Sequence, residues 1–365
     1  MPSCATATIE LPKRSMTKAL RHLSELDSLR AFAVALTLLA HWSPITIPYA
    51  WYGVDIFFTI SGFLITTILI NSYTSGESEN RGKIIGRFMI RRTLRLFPLY
   101  YLFLMLFWLA RRYLHLYLWQ PSFTPYCFTY TSNFLFYKIG LDHGSCFSHL
   151  WSLGVEEQFY LFWPWIVLFT PSKYRVAIIS IIISISLGFY FVCYNDGRVR
   201  LLPFANFHTL GGGALLACFY TNQGRIIAWL KAHCNSLFYY TFVHLIVVLL
   251  LFNKESAFWR LYREMSLCIC TFSIVLVSVY GWKGIVGIIT RSKQVQYIGT
   301  ISYGIYLFHM PIPSLYRLLF SKLHIAFNLP DLVSILVYVV STIALASLSY
   351  RFIETPFLKV KRLYS

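Results

Sequence analysis

Charged residues are scarce in this sequence, and acidic residues are the scarcest of them. Only 13% of the 365 residues are charged, and Asp and Glu together number 14. A soluble domain carries about 25% charged residues, so this chain has too little polar surface to face water on every side. With 19 Gly and 14 Pro the chain lacks a collagen-like repeat, and its apolar content excludes a disordered chain. Eight Cys in a chain of this length also exclude a small disulfide-stapled domain.

Long apolar runs take the place of the missing polar residues. Hydrophobic residues make up 57% of the chain and aromatic residues 18%, and the mean hydropathy is +0.59. No small-residue cleavage site follows the first apolar stretch, which is therefore expected to be a retained span. Windows close to the length that crosses about 30 Å of hydrocarbon predict an all-α, polytopic membrane bundle of about ten transmembrane helices. The predicted spans are 28–46, 50–71, 95–113, 150–170, 174–194, 201–220, 236–252, 265–282, 297–318 and 331–350.

Basic residues outnumber acidic ones, which gives a formal net charge of +18. In a soluble protein this excess would suggest a nucleic-acid partner, but here 22 of the 32 Lys and Arg lie on the same side of the predicted bundle as the N-terminus. Positive charge resists translocation, so we expect both termini in the cytoplasm, a multi-pass protein of the cell (inner or plasma) membrane, and no nucleic-acid partner. The expected domains are a cytoplasmic tail at 1–25, a transmembrane domain at 26–356 and a cytoplasmic tail at 357–365.

The longest segment between predicted spans covers about residues 114–149 and is rich in aromatic residues. We expect it to lie outside and to fold back onto the bundle. Cys127 and Cys146 share this segment, and the sequence leaves open whether they form a disulfide.

The few ionisable side chains inside the predicted spans mark the candidate site. A charged group at bilayer depth costs at least about 2.5–3.5 kcal/mol, so it needs a partner or a function. Arg30 and His41 are eleven residues apart on the first span. At about 100° and 1.5 Å per residue, they point within about 20° of each other and lie about 16 Å apart along the helix. They therefore predict a polar track that runs into the membrane.

Asp55 on the second span is predicted to lie at the same depth as His41. A short turn keeps the first two spans adjacent, so we expect the Asp55 carboxylate to bind the imidazole and hold its tautomer. The alternative is that His41 is an interior histidine whose ring bonds a backbone carbonyl. Its shared face with Arg30 and its shared depth with Asp55 favour a catalytic role.

Two pairs of charges lie on the third and fourth spans. Arg92 and Arg95 are three residues apart and share a helix face, which suits phosphate groups that enter from the cytoplasm. The alternative is an anchor for anionic headgroups, with membrane lipids as the partner. Glu156 and Glu157 are adjacent and point about 100° apart, so only one of them can face a common site. The sequence leaves open which one does.

These residues belong to motifs that occur together, and in the same order, in a known family. From about residue 26 to residue 356 the chain resembles the membrane acyltransferase-3 family, whose members O-acylate surface sugars and other hydroxyl acceptors. The sequence departs from the family pattern at Asn206 and His208, where an arginine or an acidic residue is expected before a small-residue helix. The matching segments are LDSLR at 26–30 followed by His41, GVDIFF at 53–58, SGFLI at 61–65, RTLR at 92–95, HLWSLGVEEQFY at 149–160, SYGIYLFHMP at 302–311 and ETP at 354–356.

The resemblance implies an O-acyltransferase that uses acyl-CoA, most simply acetyl-CoA, as co-substrate, with no bound cofactor and no metal. The acceptor would be a hydroxyl of a carbohydrate or glycolipid. Arg30, Arg92 and Arg95 would bind the phosphates of the donor. His41 would either deprotonate the acceptor hydroxyl or carry the acyl group itself. The implied catalytic residues are His41, Asp55, Glu156 and Glu157, and the further candidates are Asp27, Ser61 and His309.

Two other patterns are weak evidence for a metal site and for a phosphate-binding loop. The HGSCFSH segment at 143–149 offers metal ligands, but structural zinc sites use other spacings. Three glycines at 211–213 lack the Gly-Lys-Ser of a phosphate loop, and close helix packing explains them better.

Two rival functions are a transporter or flippase of a lipid-linked sugar and a non-catalytic scaffold. No pair of repeats or of broken helices supports the transporter, and a scaffold would not need interior charges. Longer family members carry a further domain after the last span, so we expect the bundle itself or a partner to handle the acceptor here.

Overall fold

A computed structural model describes residues 24–43, 45, 49–75, 80–116, 118–141, 146–251, 256–324 and 330–364. These residues form helices and no strand, which confirms the all-α prediction for this part of the chain. Most of the predicted tail at 1–25 and His143 lie outside the described residues. The α-helices are α1 (Ser24–Trp42), α2 (Gly53–Ser75), α3 (Arg81–Leu114), α4 (Thr124–Phe128), α5 (Ser132–Ile139), α6 (Leu150–Phe169), α7 (Ser172–Val192), α8 (Phe207–Asn222), α9 (Arg225–Leu251), α10 (Ala257–Tyr280), α11 (Gly284–Thr290), α12 (Lys293–Thr300), α13 (Ser302–Phe308), α14 (Pro311–Lys322), α15 (Asp331–Ser349) and α16 (Thr355–Lys361). A π-helix covers Tyr350–Glu354, and 3-10 helices cover Ala50–Tyr52, Pro121–Phe123, Val199–Leu201, Pro203–Asn206 and Arg362–Tyr364.

Six helical segments of the described chain are long and apolar enough to cross a membrane. They are Ala50–Thr74, Arg81–Leu114, Ser172–Val192, Arg225–Leu251, Ala257–Tyr280 and Asp331–Lys361. Predicted spans one, four and six coincide with α1, α6 and α8, and the ninth is divided among α12, α13 and α14. The ninth breaks at Ile301 and again before Pro311. The second break has a local cause, because a proline at the start of a helix cannot continue the preceding one. A count of ten spans and the cytoplasmic position of the termini stay predictions.

Helix α2 lies at the centre of the bundle, with 78% of its apolar window buried. It packs closely against α8 because glycines remove the side chains between them. A Cβ added at Gly62 would lie 1.9 Å from the carbonyl oxygen of Leu210, and one added at Gly213 would lie 1.9 Å from that of Thr59. The interpretation of the glycines at 211–213 as packing residues is confirmed at Gly213.

Helix α3 is longer than the span predicted at 95–113. It begins at Arg81, and the Asn80 side chain caps it by accepting a hydrogen bond from the Gly82 amide at 2.8 Å. The basic run that precedes the predicted span is therefore part of the same rigid helix. This continuity places the basic side chains in rows four residues apart.

The aromatic segment after α3 folds back onto the bundle, as predicted. Trp119, Phe136 and Phe147 are fully buried, and the Arg111 guanidinium donates to the Trp119 carbonyl at 2.7 Å. Cys127 and Cys146 are both buried, and the disulfide that the sequence left open is not formed between them. Burial raises the pKa of the Cys127 thiol to about 12, so the thiol stays protonated and unreactive at neutral pH.

Candidate active site

A cavity of about 260 Å³, here called the central cavity, lies between α1, α2, α3, α6, α13 and the segment after α15. Six of the ten predicted site residues line it: Asp27, Arg30, Ser61, Arg92, Arg95 and Glu156. Tyr160, Tyr303, Tyr306 and Glu354 add further polar groups to the lining. The structure thus brings together residues from the first, second, third and fourth predicted spans.

All three predicted arginines line the central cavity. The Arg30 guanidinium donates to the Asp27 carboxylate at 2.5 Å. The Arg92 guanidinium lies over the Tyr160 ring, 3.9 Å from its centroid, a geometry that favours a cation. Arg95 lines the same cavity three residues further along α3. The Arg-x-x-Arg spacing therefore aims both guanidiniums at one space, as predicted.

The structure decides between the two adjacent glutamates. Glu156 lines the central cavity, and its Oε1 accepts a hydrogen bond from the Ser61 hydroxyl at 2.8 Å. Glu157 is absent from the lining, and its buried Oε1 has no hydrogen-bond partner among the described residues. The helical rotation of about 100° between them aims only Glu156 at the cavity.

Three histidines lie beyond one end of the central cavity. The ring centroid of His309 is 5.1 Å from that of His41 and 5.0 Å from that of His149. His309 Nδ1 lies 2.6 Å from the Tyr306 carbonyl and His149 Nε2 lies 3.1 Å from the Leu307 carbonyl. Because a carbonyl only accepts, these nitrogens are the donors, and each neutral ring keeps one unprotonated nitrogen. Those two nitrogens are buried and have no hydrogen-bond partner in the described part of the chain.

His41 itself is exposed at the end of α1 and does not line the central cavity. Tyr306 and Ser152 line the cavity at the end nearest the histidines, and their hydroxyl oxygens lie 2.5 Å apart. The Tyr306 hydroxyl also donates to the His149 carbonyl at 3.1 Å. These two hydroxyls are polar groups next to the histidine cluster, and a continuous polar track from Arg30 to His41 stays a prediction.

The predicted contact between Asp55 and His41 is wrong. The Asp55 carboxylate is buried and forms an ion pair with Arg200 at 2.6 Å. The Arg200 guanidinium also lies 3.7 Å from Glu264 and 4.0 Å from the centroid of the Trp51 ring. Burial lowers the pKa of Arg200, but the carboxylates of Asp55 and Glu264 outweigh burial and hold that pKa above its ordinary value. A permanent cation satisfies a buried carboxylate better than a neutral imidazole does.

The two residues that depart from the family pattern belong to this ion-pair network. The Asn206 amide donates to the carbonyls of Arg200 and Leu202, each at 2.8 Å, and so holds the loop that carries Arg200. His208 Nε2 lies 3.4 Å from Glu264. Arg200 itself stands six residues before Asn206, ahead of the small-residue helix. Sequence reasoning missed Arg200 and Glu264 because each stands one residue outside a predicted span.

Comparison with known proteins gives one family match. Residues 23–351 match a family model described as "Acyltransferase domain" (Acyl_transf_3). No solved structure matches the chain.

Curated relatives match along nearly all of this chain. A "Putative peptidoglycan O-acetyltransferase", YrhL of Bacillus subtilis, is 30% identical over 361 residues, which cover 92% of this chain and 55% of the relative. A "Putative O-acetyltransferase" of Staphylococcus aureus (strain COL) is also 30% identical, over 369 residues that cover 94% of this chain and 58% of the relative. The peptidoglycan O-acetyltransferase OatA of Listeria monocytogenes is 27% identical, over 372 residues that cover 95% of this chain and 57% of the relative. The chain thus spans little more than half the length of these relatives.

Proposed function

The chain belongs to the acyltransferase family whose model matches residues 23–351, and on that premise we propose that it is an O-acyltransferase of the cell membrane. The proposed reaction moves an acetyl group from acetyl-CoA to a hydroxyl of a carbohydrate or glycolipid. The names of the relatives as O-acetyltransferases support the acetyl group. Two of those names specify peptidoglycan, so a cell-wall glycan is the first acceptor to test.

One observation supports this proposal above the others. Arg30, Arg92 and Arg95 line a single cavity whose far end meets a cluster of three histidines through Tyr306. Guanidiniums are the side chains best suited to phosphate, and an imidazole is the common base at neutral pH. Arg30 and His41 are eleven residues apart on α1, about 16 Å along its axis. An extended pantetheine arm has about the reach needed to cover that distance.

His41 can serve the proposed transfer in two ways. As a base, its imidazole takes the proton of the acceptor hydroxyl while the oxygen attacks the thioester carbonyl. The C–S bond then breaks, and the CoA thiolate leaves and takes up the proton. As an acyl carrier, the imidazole nitrogen attacks the thioester and expels CoA as its thiolate. The acceptor hydroxyl then attacks the acetyl group and displaces the imidazole, and the hydroxyl proton ends on the CoA thiolate. Both routes end with one ester formed and one thioester broken.

The test uses purified protein, acetyl-CoA labelled in the acetyl group, and soluble peptidoglycan fragments or a lipid-linked glycan as acceptor. We expect label on the glycan from the wild-type protein. General-base assistance contributes about 10²–10⁴-fold, so we expect a loss of that size in His41→Ala. Wild-type activity in folded His41→Ala would overturn the role of His41.

The same experiment separates the enzyme from a transporter. Movement of the unmodified glycan across a vesicle membrane, without label on it, would overturn the transferase. A trapped acetyl-imidazole at His41, detected by mass spectrometry after acetyl-CoA is added without acceptor, would select the acyl-carrier route. Label transfer without any such adduct would favour the general-base route.

A further inference from the structure

A second, smaller cavity opens beside the central cavity. Its volume is about 60 Å³, and it lies between α2, α3 and α16. Among the residues that the structure describes, five of those lining it are basic and none is acidic: Arg87, Arg91, Arg92, Arg95 and Lys361. We call it the basic cavity.

The cationic side chains of the basic cavity come from two helices. Arg87, Arg91 and Arg95 are four residues apart on α3, so they form one row along the helix. Lys361 comes from the end of α16, which packs against α3. The opposite wall is apolar and includes Leu64, Ile68 and Leu69 of α2. Such a wall excludes water and strengthens the attraction between these cations and an anion.

The two cavities are neighbours and share Leu64, Arg92 and Arg95. They differ in charge, because acidic Asp27, Glu156 and Glu354 line the central cavity but not the basic one. A ligand that occupied both would place its most anionic end in the basic cavity. Its less charged part would extend along α2 towards Ser61 and Tyr306.

We propose that the basic cavity binds the 3′-phosphate of the CoA nucleotide, an inference that rests on acetyl-CoA being the donor in the proposed function. CoA carries a pyrophosphate next to its pantetheine arm and a phosphomonoester on the ribose, further from the thioester. Arg92 and Arg95 meet the pyrophosphate, because they line both cavities. Arg87, Arg91 and Lys361 meet the 3′-phosphate, which as a phosphomonoester carries a charge of about −1.5 to −2 at neutral pH.

The phosphate of an anionic lipid headgroup has the same chemistry, but the position of the row favours the donor. Arg87, Arg91 and Arg95 are partly buried and line a space between helices. Two of the five cations also belong to the cavity that holds Glu156. A headgroup site would not need to continue into that cavity.

Binding measurements on the full chain test the inference. The protein is placed in phosphatidylcholine nanodiscs, and its Kd is measured for acetyl-CoA and for 3′-dephospho-acetyl-CoA. We expect the wild-type protein to bind acetyl-CoA at least about tenfold more tightly, as charge-assisted hydrogen bonds allow. We expect Lys361→Gln to lose most of that preference. Lys359→Gln, an exposed lysine of the same helix outside both cavity linings, should keep it.

Three other outcomes of these binding measurements would each overturn the 3′-phosphate assignment. Because both donors are measured on one preparation, a misfolded fraction does not alter the ratio of the two Kd values. A ratio that Lys361→Gln leaves unchanged overturns the 3′-phosphate assignment while the proposed function stands. A change caused by Lys361→Gln only when phosphatidylglycerol is added to the nanodiscs identifies a lipid headgroup site and also overturns it. Absence of binding of either donor to wild-type protein overturns acetyl-CoA as donor, and this inference with it.

Discussion

Asp55 and Arg200 are 145 positions apart in the sequence, yet their side chains form the shortest charged contact of a buried network. Glu264 and His208 complete that network from α10 and α8. The network ties the start of α2 to the loop before α8 and to α10. Asp55 is therefore a positioning residue for these helices, and the geometry gives it no direct contact with His41.

At the residue scale, we expect Asp55→Asn to lower the stability of the protein. The substitution leaves Arg200 buried with only the more distant Glu264, and loss of one partner of a buried pair costs about 3–5 kcal/mol. The measurement is the thermal unfolding midpoint in detergent, with folded His41→Ala as the control that keeps the wild-type midpoint. An unchanged midpoint together with lost acyl transfer would return Asp55 to the catalytic site.

At the scale of elements, the contact between α2 and α8 decides where the site residues stand. Ser61 and Gly62 are neighbours on α2, and one faces Glu156 while the other touches the backbone of α8. The seating of α2 on α8 therefore sets the position of Ser61 relative to α6. A change in this packing moves the lining of the central cavity without touching a polar group.

We expect Gly213→Ala to disrupt this contact. The new Cβ would lie 1.9 Å from the Thr59 carbonyl oxygen and 2.7 Å from the Phe63 amide nitrogen, and backbone atoms cannot swing aside. Overpacking of this kind costs about 1–3 kcal/mol or more, so less folded protein should be recovered. Gly86→Ala in α3 is the matched control, because no atom lies within 4 Å of its added Cβ. Equal yields and melting midpoints for the two variants would contradict the packing argument.

At the scale of the whole molecule, the asymmetry of positive charge predicts the orientation of the bundle. The row of arginines on α3 and Lys361 of α16 lie on the side that we assign to the cytoplasm, where CoA is available. The histidine cluster lies beyond the other end of the central cavity. This arrangement suits a donor and an acceptor that approach from opposite sides of the membrane.

We expect reporter fusions to confirm that orientation. Green fluorescent protein joined after residue 364 should fluoresce, because it folds in the cytoplasm. Alkaline phosphatase inserted after Leu141, whose side chain is exposed, should be active, because it needs the oxidising side. The exchanged fusions serve as controls and should both be inactive. The opposite pattern would invert the bundle and place the basic cavity on the side that lacks CoA.

Much of the site was predictable from the sequence. That Arg92 and Arg95 share a helix face follows from helical spacing, which any α-helix imposes. The partner of Asp55 was not predictable, because the loop that carries Arg200 turns back into the bundle after α7. Depth in the membrane suggested His41 as the partner, but depth does not report which helix stands next to which.

The amino-acid sequence by itself determined that the chain is helical, that it is built for a membrane, and which arginines share a face. These properties depend on composition and on the period of a helix, and both are local. Only the tertiary structure decided that Glu156 rather than Glu157 faces the cavity, that Arg200 binds Asp55, and that Lys361 joins the arginines of α3. Those outcomes depend on how each helix is rotated and on where the connecting segments return, which packing of the whole chain settles.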